Sequence, residues 1–295
     1  MRVLIVGNQG QVARELAIKL AVAGYDFVAL GRPALDLASP ASVVRAIEDY
    51  GPDAIINAAA YTAVDRAEDE PEIANAVNGH GIGVLGRAAG DIPLIHYSTD
   101  YVFDGTKTTP YLETDPTHPI GAYGASKLLG EQKLFAAHPR SVVLRTSWVC
   151  SAHGNNFVKT MLRLGGERSD VSVVDDQYGG PTFADHLADA AIALLPRLLA
   201  AKQDDAQFGI FHFSGAPDCT WYGFAKAIFE GAAARGVSAP HLHPITTDQY
   251  PTRAKRPANS RLDCGKIERI HGLKRPDWHA GLSRCLDQLI GAETP

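Results

Sequence analysis

The feature that most constrains this chain lies in its first thirteen residues. Val3-Leu4-Ile5-Val6 is an unbroken apolar run, and Gly7-Asn8-Gln9-Gly10-Gln11-Val12-Ala13 follows it directly. A run with no polar alternation fits a parallel strand buried on both faces. The G-x-x-G-x-x-A spacing behind it fits a strand-to-helix turn at which backbone approaches a phosphate. Glycines at Gly7 and Gly10 allow the tight turn, a helix opening at Gln11 presents free N–H groups, and the small Ala13 lets helix and strand pack closely. Gly7, Gly10, Gln11 and Val12 are therefore candidate contacts to a dinucleotide pyrophosphate. Glycine spacing alone is a weak signal, and its place behind a buried strand gives it weight.

The same alternation continues along the first half. Residues 27–30, 54–57, 94–97 and 142–144 read as strands. Helices are expected over residues 11–23, from Ser39-Pro40 to Tyr50, and over 72–89 and 123–137. Strand and helix in turn predict an α/β fold with a Rossmann-like, doubly wound parallel sheet. Past Trp148 the pattern loosens, with helices expected near 157–164, 183–200 and 221–234 and strands near 171–174 and 210–213. Residues 240–261, rich in proline, threonine and basic side chains, read as loop. The expected organisation is a dinucleotide-binding domain over residues 1–148. A smaller, mostly C-terminal substrate-binding lobe over 149–295 would interleave with it.

Composition excludes other classes. With 45% hydrophobic and 21% charged residues the chain can build a sizeable core. A net charge of −5 disfavours nucleic acid or an anionic membrane as partner. No stretch approaches the ~20 apolar residues of a membrane helix. The apolar run at the N-terminus ends at Gly7, too early for a signal peptide, so a cytoplasmic location is expected. Cys150, Cys219, Cys264 and Cys285 are far apart and read as free thiols. The eleven histidines form no H-E-x-x-H motif, His241-Leu242-His243 reads as solvated, and no metal is expected.

Tyr123 and Lys127 are four residues apart in an expected helix and share one face. A free tyrosine titrates near ~10, too high for acid–base work at neutral pH, and a nearby ammonium lowers that value. Ser98-Thr99-Asp100 closes the fourth expected strand, at the carboxyl edge where open α/β sheets bind ligands. A Thr99 hydroxyl there can orient a substrate carbonyl beside Tyr123. The third strand ends in Asn57-Ala58-Ala59-Ala60, small side chains suited to close passage of a cofactor. The second ends in Gly31-Arg32, where a carboxylate would repel a 2′-phosphate. Arg32 can meet that phosphate, and Asp36-Leu37 can flank the adenine.

Longer motifs carry a resemblance. They are Asn57-Ala58-Ala59-Ala60-Tyr61-Thr62-Ala63-Val64-Asp65, Ser98-Thr99-Asp100-Tyr101-Val102-Phe103, Tyr123-Gly124-x-x-Lys127 and Arg145-Thr146-Ser147-Trp148-Val149. Gly154-Asn155-Asn156-Phe157, Asp176-Gln177-x-Gly179-x-Pro181-Thr182 and Arg256-Pro257-x-Asn259-Ser260-Arg261-Leu262 complete the set. With these the chain resembles the extended short-chain dehydrogenases, and within them the dTDP-4-dehydrorhamnose reductase family, over nearly its whole length. The resemblance implies NADPH or NADH as cofactor and reduction of the 4-keto group of a dTDP-6-deoxy-L-sugar, giving dTDP-L-rhamnose for polysaccharide. It implies Tyr123 as proton donor, Lys127 at the nicotinamide ribose, and Thr99 at the ketone. Asp100, Tyr101 and Trp148 fall beside the sugar, although Trp148 read without the family is a core residue. Tyr61 and Thr62 join Ala58, Ala59 and Ala60 at the cofactor, and the resemblance leaves room for a homodimer.

Some members bind magnesium at a subunit interface through glutamates. Glu15 matches one such position, Asp185 is a shorter equivalent and Gln288 replaces the third, so this ion is not expected. Sugar dehydratases of the superfamily place an acidic pair after the threonine, whereas Tyr101 follows Asp100 here. A related epimerase or dehydratase and a non-catalytic cofactor-binding regulatory subunit are the alternative readings. Intact Thr99, Tyr123 and Lys127 weigh against the regulator.

Gly31-Arg32 generates a measurable expectation. A charge-assisted arginine contact contributes about 1.5–3 kcal/mol, and solvent and salt shrink it. NADPH should be used at least as well as NADH, and Arg32→Ala should move the kcat/KM ratio toward NADH. A parent enzyme strongly favouring NADH, or an unmoved ratio, would contradict this.

Overall fold

The computed structural model describes residues 1–202 and 205–291. Its centre is a six-stranded parallel sheet of β1 (Arg2–Val6), β2 (Asp26–Leu30), β3 (Ala54–Asn57), β4 (Leu94–Thr99), β5 (Ser141–Thr146) and β6 (Gly209–His212). The spatial order is β6-β5-β4-β3-β1-β2, so the winding reverses between β1 and β3. Ligands of open α/β sheets bind outside the strand ends at such a reversal. Here the Gly7 turn and the Ala58–Ala60 segment meet at that point, where the Ala58 N–H donates to the Val6 carbonyl at 2.9 Å.

Alternate residues of β1 explain the burial on both sides. Val3 and Ile5 face one core with Leu16 and Leu20 of α1 (Gln11–Val22), and Leu187, Ala191 and Leu194 of the helix Ala184–Ala200 complete it. Leu4 and Val6 face a second core, joined by Val43 and Ile47 of α2 (Pro40–Tyr50), Ile82 and Leu85 of α3 (Gly81–Ala89), and Leu134 of α4 (Ala122–Ala137). A third core lies beyond the sheet, where Phe183, Phe224, Ile228, Trp278 and Leu282 pack together. β6 comes from the C-terminal half and pairs with β5, and Ala184–Ala200 packs on α1, so residues past 148 contribute to the sheet and to the first core.

Two segments differ from the sequence reading. The helix expected over 72–89 is a short turn (Pro71–Ala74), a π-helical turn (Asn75–His80) and α3. The widened turn directs Asn78 toward the chain after β3, where its Oδ1 accepts from Tyr61 N–H at 2.8 Å. The loop expected over 240–261 contains a strand, His241–Ile245, pairing in parallel with Asp170–Val174. It is an edge strand with exposed or half-buried side chains, so no apolar alternation marks it, and Pro244 is tolerated there.

α4 lies very close to the π turn. A Cβ on Gly130 would stand 2.0 Å from the Asn78 carbonyl oxygen, a backbone atom that cannot swing aside. Gly130→Ala should therefore destabilise the fold by about 1–3 kcal/mol or more, read as a lower urea midpoint with unchanged slope. Gly166, in the helix Phe157–Glu167, has nothing within 4 Å of an added Cβ. Gly166→Ala should stabilise by roughly 0.5–1 kcal/mol, and equal midpoints for the two variants would contradict this packing.

Candidate active site

The dinucleotide turn is built as its glycines require. Gly7 has φ +104°, and a Cβ there would stand 3.2 Å from Ala59 N. No side chain caps α1 at Gly10, which leaves its first-turn N–H groups free to face an anion. These features fit a dinucleotide pyrophosphate. Val12 packs against the first core. The Gln11 side chain is committed elsewhere: its Oε1 accepts from Asn156 Nδ2 at 2.9 Å and Ser151 Oγ at 3.2 Å, tying the turn to the C-terminal lobe.

At the end of β2, a Cβ on Gly31 would stand 2.4 Å from Asn8 Oδ1, so the Asn8 amide fills the room a side chain would take. Arg32 is exposed. The Asp36 carboxylate accepts from Ala38 N–H at 2.9 Å, and Leu37 is buried in the second core, which leaves its backbone for any ligand contact. Ala58, Ala59 and Ala60 are half-buried beside Gly7, and Thr62 is exposed. The Tyr61 hydroxyl donates to Glu70 at 2.6 Å, a bond that raises its pKa.

α4 brings the reactive side chains to the end of β4. A Cβ on Gly124 would stand 2.1 Å from the Tyr101 carbonyl oxygen, so only glycine lets α4 sit this close to the turn Asp100–Val102. Tyr123 meets Tyr101 edge to face, with ring centroids 5.7 Å apart. Thr99 Oγ1 donates to Asp100 Oδ1 at 3.1 Å and accepts from Tyr101 N–H at 3.1 Å. The proton of Thr99 is thus directed at Asp100. Burial pushes the Asp100 carboxyl up to about 7, against hydroxyls of Ser260 and Thr99 that favour its charged form, and its Oδ2 has no partner.

Lys127 corrects the sequence reading. Its Nζ donates to the Tyr97 carbonyl at 2.7 Å and lies 3.2 Å from His96 Nε2. Burial lowers its pKa to about 8, with Glu131 acting in the opposite sense. Tyr123 is not lowered. Desolvation and the Asp100 carboxylate push it above its ordinary value, and only the Thr99 hydroxyl works the other way. The lysine is held against the sheet, so one-turn spacing alone does not depress the tyrosine.

Trp148 adopts φ +50°, stacks on Trp221 with centroids 3.6 Å apart, and lies over Gly179, where a Cβ would meet its ring at 2.5 Å. It is half-buried and packs against the third core.

Sequence reasoning missed the supports. Asn78 Nδ2 donates to the Tyr61 carbonyl at 2.9 Å and to Ser126 Oγ at 3.0 Å, and Ser126 Oγ donates to the Tyr123 carbonyl at 2.7 Å. Buried Arg145 pairs with buried Glu131 through Nη2 and Oε2 at 2.6 Å, and Ser98 Oγ donates to Glu131 at 2.5 Å. Asn259 Nδ2 donates to the carbonyls of Lys107 and Thr109, bracing the chain after β4. An asparagine or arginine inside a helix or strand carries no local signal of such use.

Glu15, Asp185 and Gln288 line one cavity, but Arg284 enters it and donates to Asp185 Oδ2 from Nε at 2.9 Å and from Nη2 at 2.6 Å. His153 Nε2 lies 3.5 Å from Glu15. One carboxylate already held by a guanidinium and an amide in the third place do not fit a magnesium ion. All four cysteines are free, and no helix of the described residues is long and apolar enough to cross a membrane.

Comparison with known proteins agrees along the chain. The family model described as RmlD substrate binding domain matches residues 1–290. A dTDP-4-dehydrorhamnose reductase of Sinorhizobium fredii is 45% identical over 98% of this chain and 98% of its own. A solved dTDP-4-dehydrorhamnose reductase of Clostridium acetobutylicum superposes with TM-score 0.90 at 34% identity, covering 98% of this chain and 99% of that one. The enzyme of Bacillus anthracis, solved in complex with NADP, gives TM-score 0.88 at 35% identity over 97% and 99%.

The buried Asp100 carboxyl makes stability depend on pH. Its folded-state pKa of about 7 lies above the ordinary carboxylate value, so the folded protein holds the proton more tightly. Its contribution is greatest below ~4, falls as pH rises and levels off above ~7, a loss of roughly 2–3 kcal/mol between pH 5 and 8. Asp100→Asn should remove that part of the decline, measured by urea unfolding at both pH values. An Asp100→Asn protein with the parent's pH dependence would show that Asp100 ionises without this cost.

Proposed function

The chain belongs to the dTDP-4-dehydrorhamnose reductase family, and from that premise we propose that Thr99, Tyr123 and Lys127 carry the reaction of this protein. It is an NAD(P)H-dependent oxidoreductase that reduces the 4-keto group of dTDP-4-dehydro-L-rhamnose to dTDP-L-rhamnose. The observation that carries the assignment of roles is the convergence of Thr99, Asp100 and Tyr123 at the sheet's carboxyl edge.

When bound, the dinucleotide would supply the hydride that reduces the ketone carbon. Gly7, Gly10, Val12 and the backbone of Gln11 would hold its pyrophosphate, with Ala58, Ala59, Ala60, Tyr61 and Thr62 bordering it. Arg32, Asp36 and Leu37 would border its adenosine end. Tyr123 gives its proton to the substrate oxygen as negative charge develops there. Its raised pKa keeps it protonated at neutral pH, as a donor must be. The phenolate left behind needs a compensating positive charge, which Lys127, one turn along α4, would supply while its amine is protonated.

Thr99 orients the ketone once its proton is turned from Asp100, which a protonated Asp100 permits by donating in return. Asp100, Tyr101 and Trp148 line the sugar. Tyr101 packs its ring against Tyr123 where a dehydratase would carry a second acid, which favours reduction over dehydration. The working location is the cytoplasm.

Supplied with dTDP-4-dehydro-L-rhamnose by the preceding epimerase, the protein should oxidise NAD(P)H. Tight dinucleotide binding without turnover of this ketone would favour a regulatory role instead. Tyr123→Phe should lower kcat by about 10²–10⁴-fold while dinucleotide binding persists, and a near-parent kcat in the folded variant would remove Tyr123 from its role.

A further inference from the structure

Behind Lys127 a chain of buried polar groups runs back to the dinucleotide turn. Ala59 N–H donates to Asn57 Oδ1 at 3.1 Å, Asn57 Nδ2 faces His96 Nδ1 at 2.8 Å, and His96 Nε2 faces Lys127 Nζ at 3.2 Å. Ala59 is the residue whose backbone closes against Gly7. His96 and Asn57 are fully buried, and neither has a part in the reaction described above.

The order of donors fixes the order of protons. A backbone N–H can only donate, so Asn57 presents its oxygen to Ala59 and its NH₂ to His96. His96 Nδ1 must then accept. Burial and the neighbouring lysine keep this ring neutral, and a neutral imidazole has one N–H, so that proton is on Nε2 and points at Lys127. Facing an ammonium, the Nε2–H sets donor against donor. Facing a neutral amine, it finds a lone pair.

We infer that His96 is a positioning residue for Lys127, presenting to its amine an Nε2–H that Asn57 dictates and so joining the lysine to the dinucleotide turn at Ala59. The contact favours the neutral amine. Glu131 on α4 acts in the opposite sense, and Arg145 from β5 pairs with that carboxylate. Tyr123 is on the same helix and Asp100 follows β4, and Asn78 of the π turn, bonded to Ser126 of α4, carries no charge. Lys127 is thereby held between two opposed influences, and a modest change at Ala59 can shift its charge.

The inference rests on the proposed role of Lys127 for its kinetic consequence, but not for its structural one. In the parent protein labelled with ¹⁵N-histidine, the His96 ring should be neutral from pH 6 to 9, protonated on Nε2 and not on Nδ1. In kinetics, His96→Phe removes the donor and should move the alkaline limb of kcat/KM for reduction upward by about one pH unit, the scale of one hydrogen bond. His96→Gln keeps an N–H donor and should leave that limb near the parent's. An Nδ1-protonated or cationic ring overturns the inference, as does an unmoved limb in folded His96→Phe. If His96→Phe fails to fold, the tautomer in the parent decides. A parent that does not turn over the ketone refutes the proposed reaction and leaves the tautomer measurement standing.

Discussion

The structure depends on how closely α4 approaches the end of β4. Two glycines permit it: Gly124 lies against the Tyr101 carbonyl and Gly130 against the Asn78 carbonyl, each with less than a van der Waals contact to spare for a Cβ. Tyr123 and Lys127 ride on this helix, so their positions relative to Thr99 follow from backbone packing before any side-chain preference acts. Asn78 then links the helix to the segment after β3, and the same π turn that spoils the regular helix makes that link. The segment after β3 and α4 are one packed unit.

A buried polar layer under the site gives that unit its electrostatics. Arg145 and Glu131 bury a full ion pair, satisfied further by Ser98, while Lys127 is buried against a carbonyl and a neutral ring. Burying a charge costs several kcal/mol unless partners compensate. The lowered Lys127 and raised Asp100 and Tyr123 record that cost. A tyrosine kept protonated and a lysine on the same helix held near its own titration point are the groups that the proposed proton transfer at neutral pH would need.

Much of this was legible in the sequence, for physical reasons that differ by element. β1 and β3 carry unbroken apolar runs because both of their faces are covered, and Gly7 marks a turn with positive φ. Spacing and strand-end position mark Tyr123, Lys127 and Thr99 as candidates, and the long motifs add Trp148 to them. The strand His241–Ile245 was not visible, because an edge strand with solvated faces owes its form to backbone pairing with Asp170–Val174. The π turn at Asn78 was hidden because the α4 residues it meets, Ser126 and Gly130, are distant in sequence. The orientation of Lys127 was missed because spacing places a side chain on a face, whereas the Tyr97 carbonyl and His96 decide where its end goes.

The most direct measurement follows an isotope through the reaction. With NADPH deuterated at its transferable position and dTDP-4-dehydro-L-rhamnose formed in situ, NMR of the product should show deuterium at C4 of dTDP-L-rhamnose. Tyr123→Phe should give the same product far more slowly. Product without deuterium at C4, or a sugar altered only by epimerisation or loss of water, would contradict the account of this protein as a 4-keto reductase.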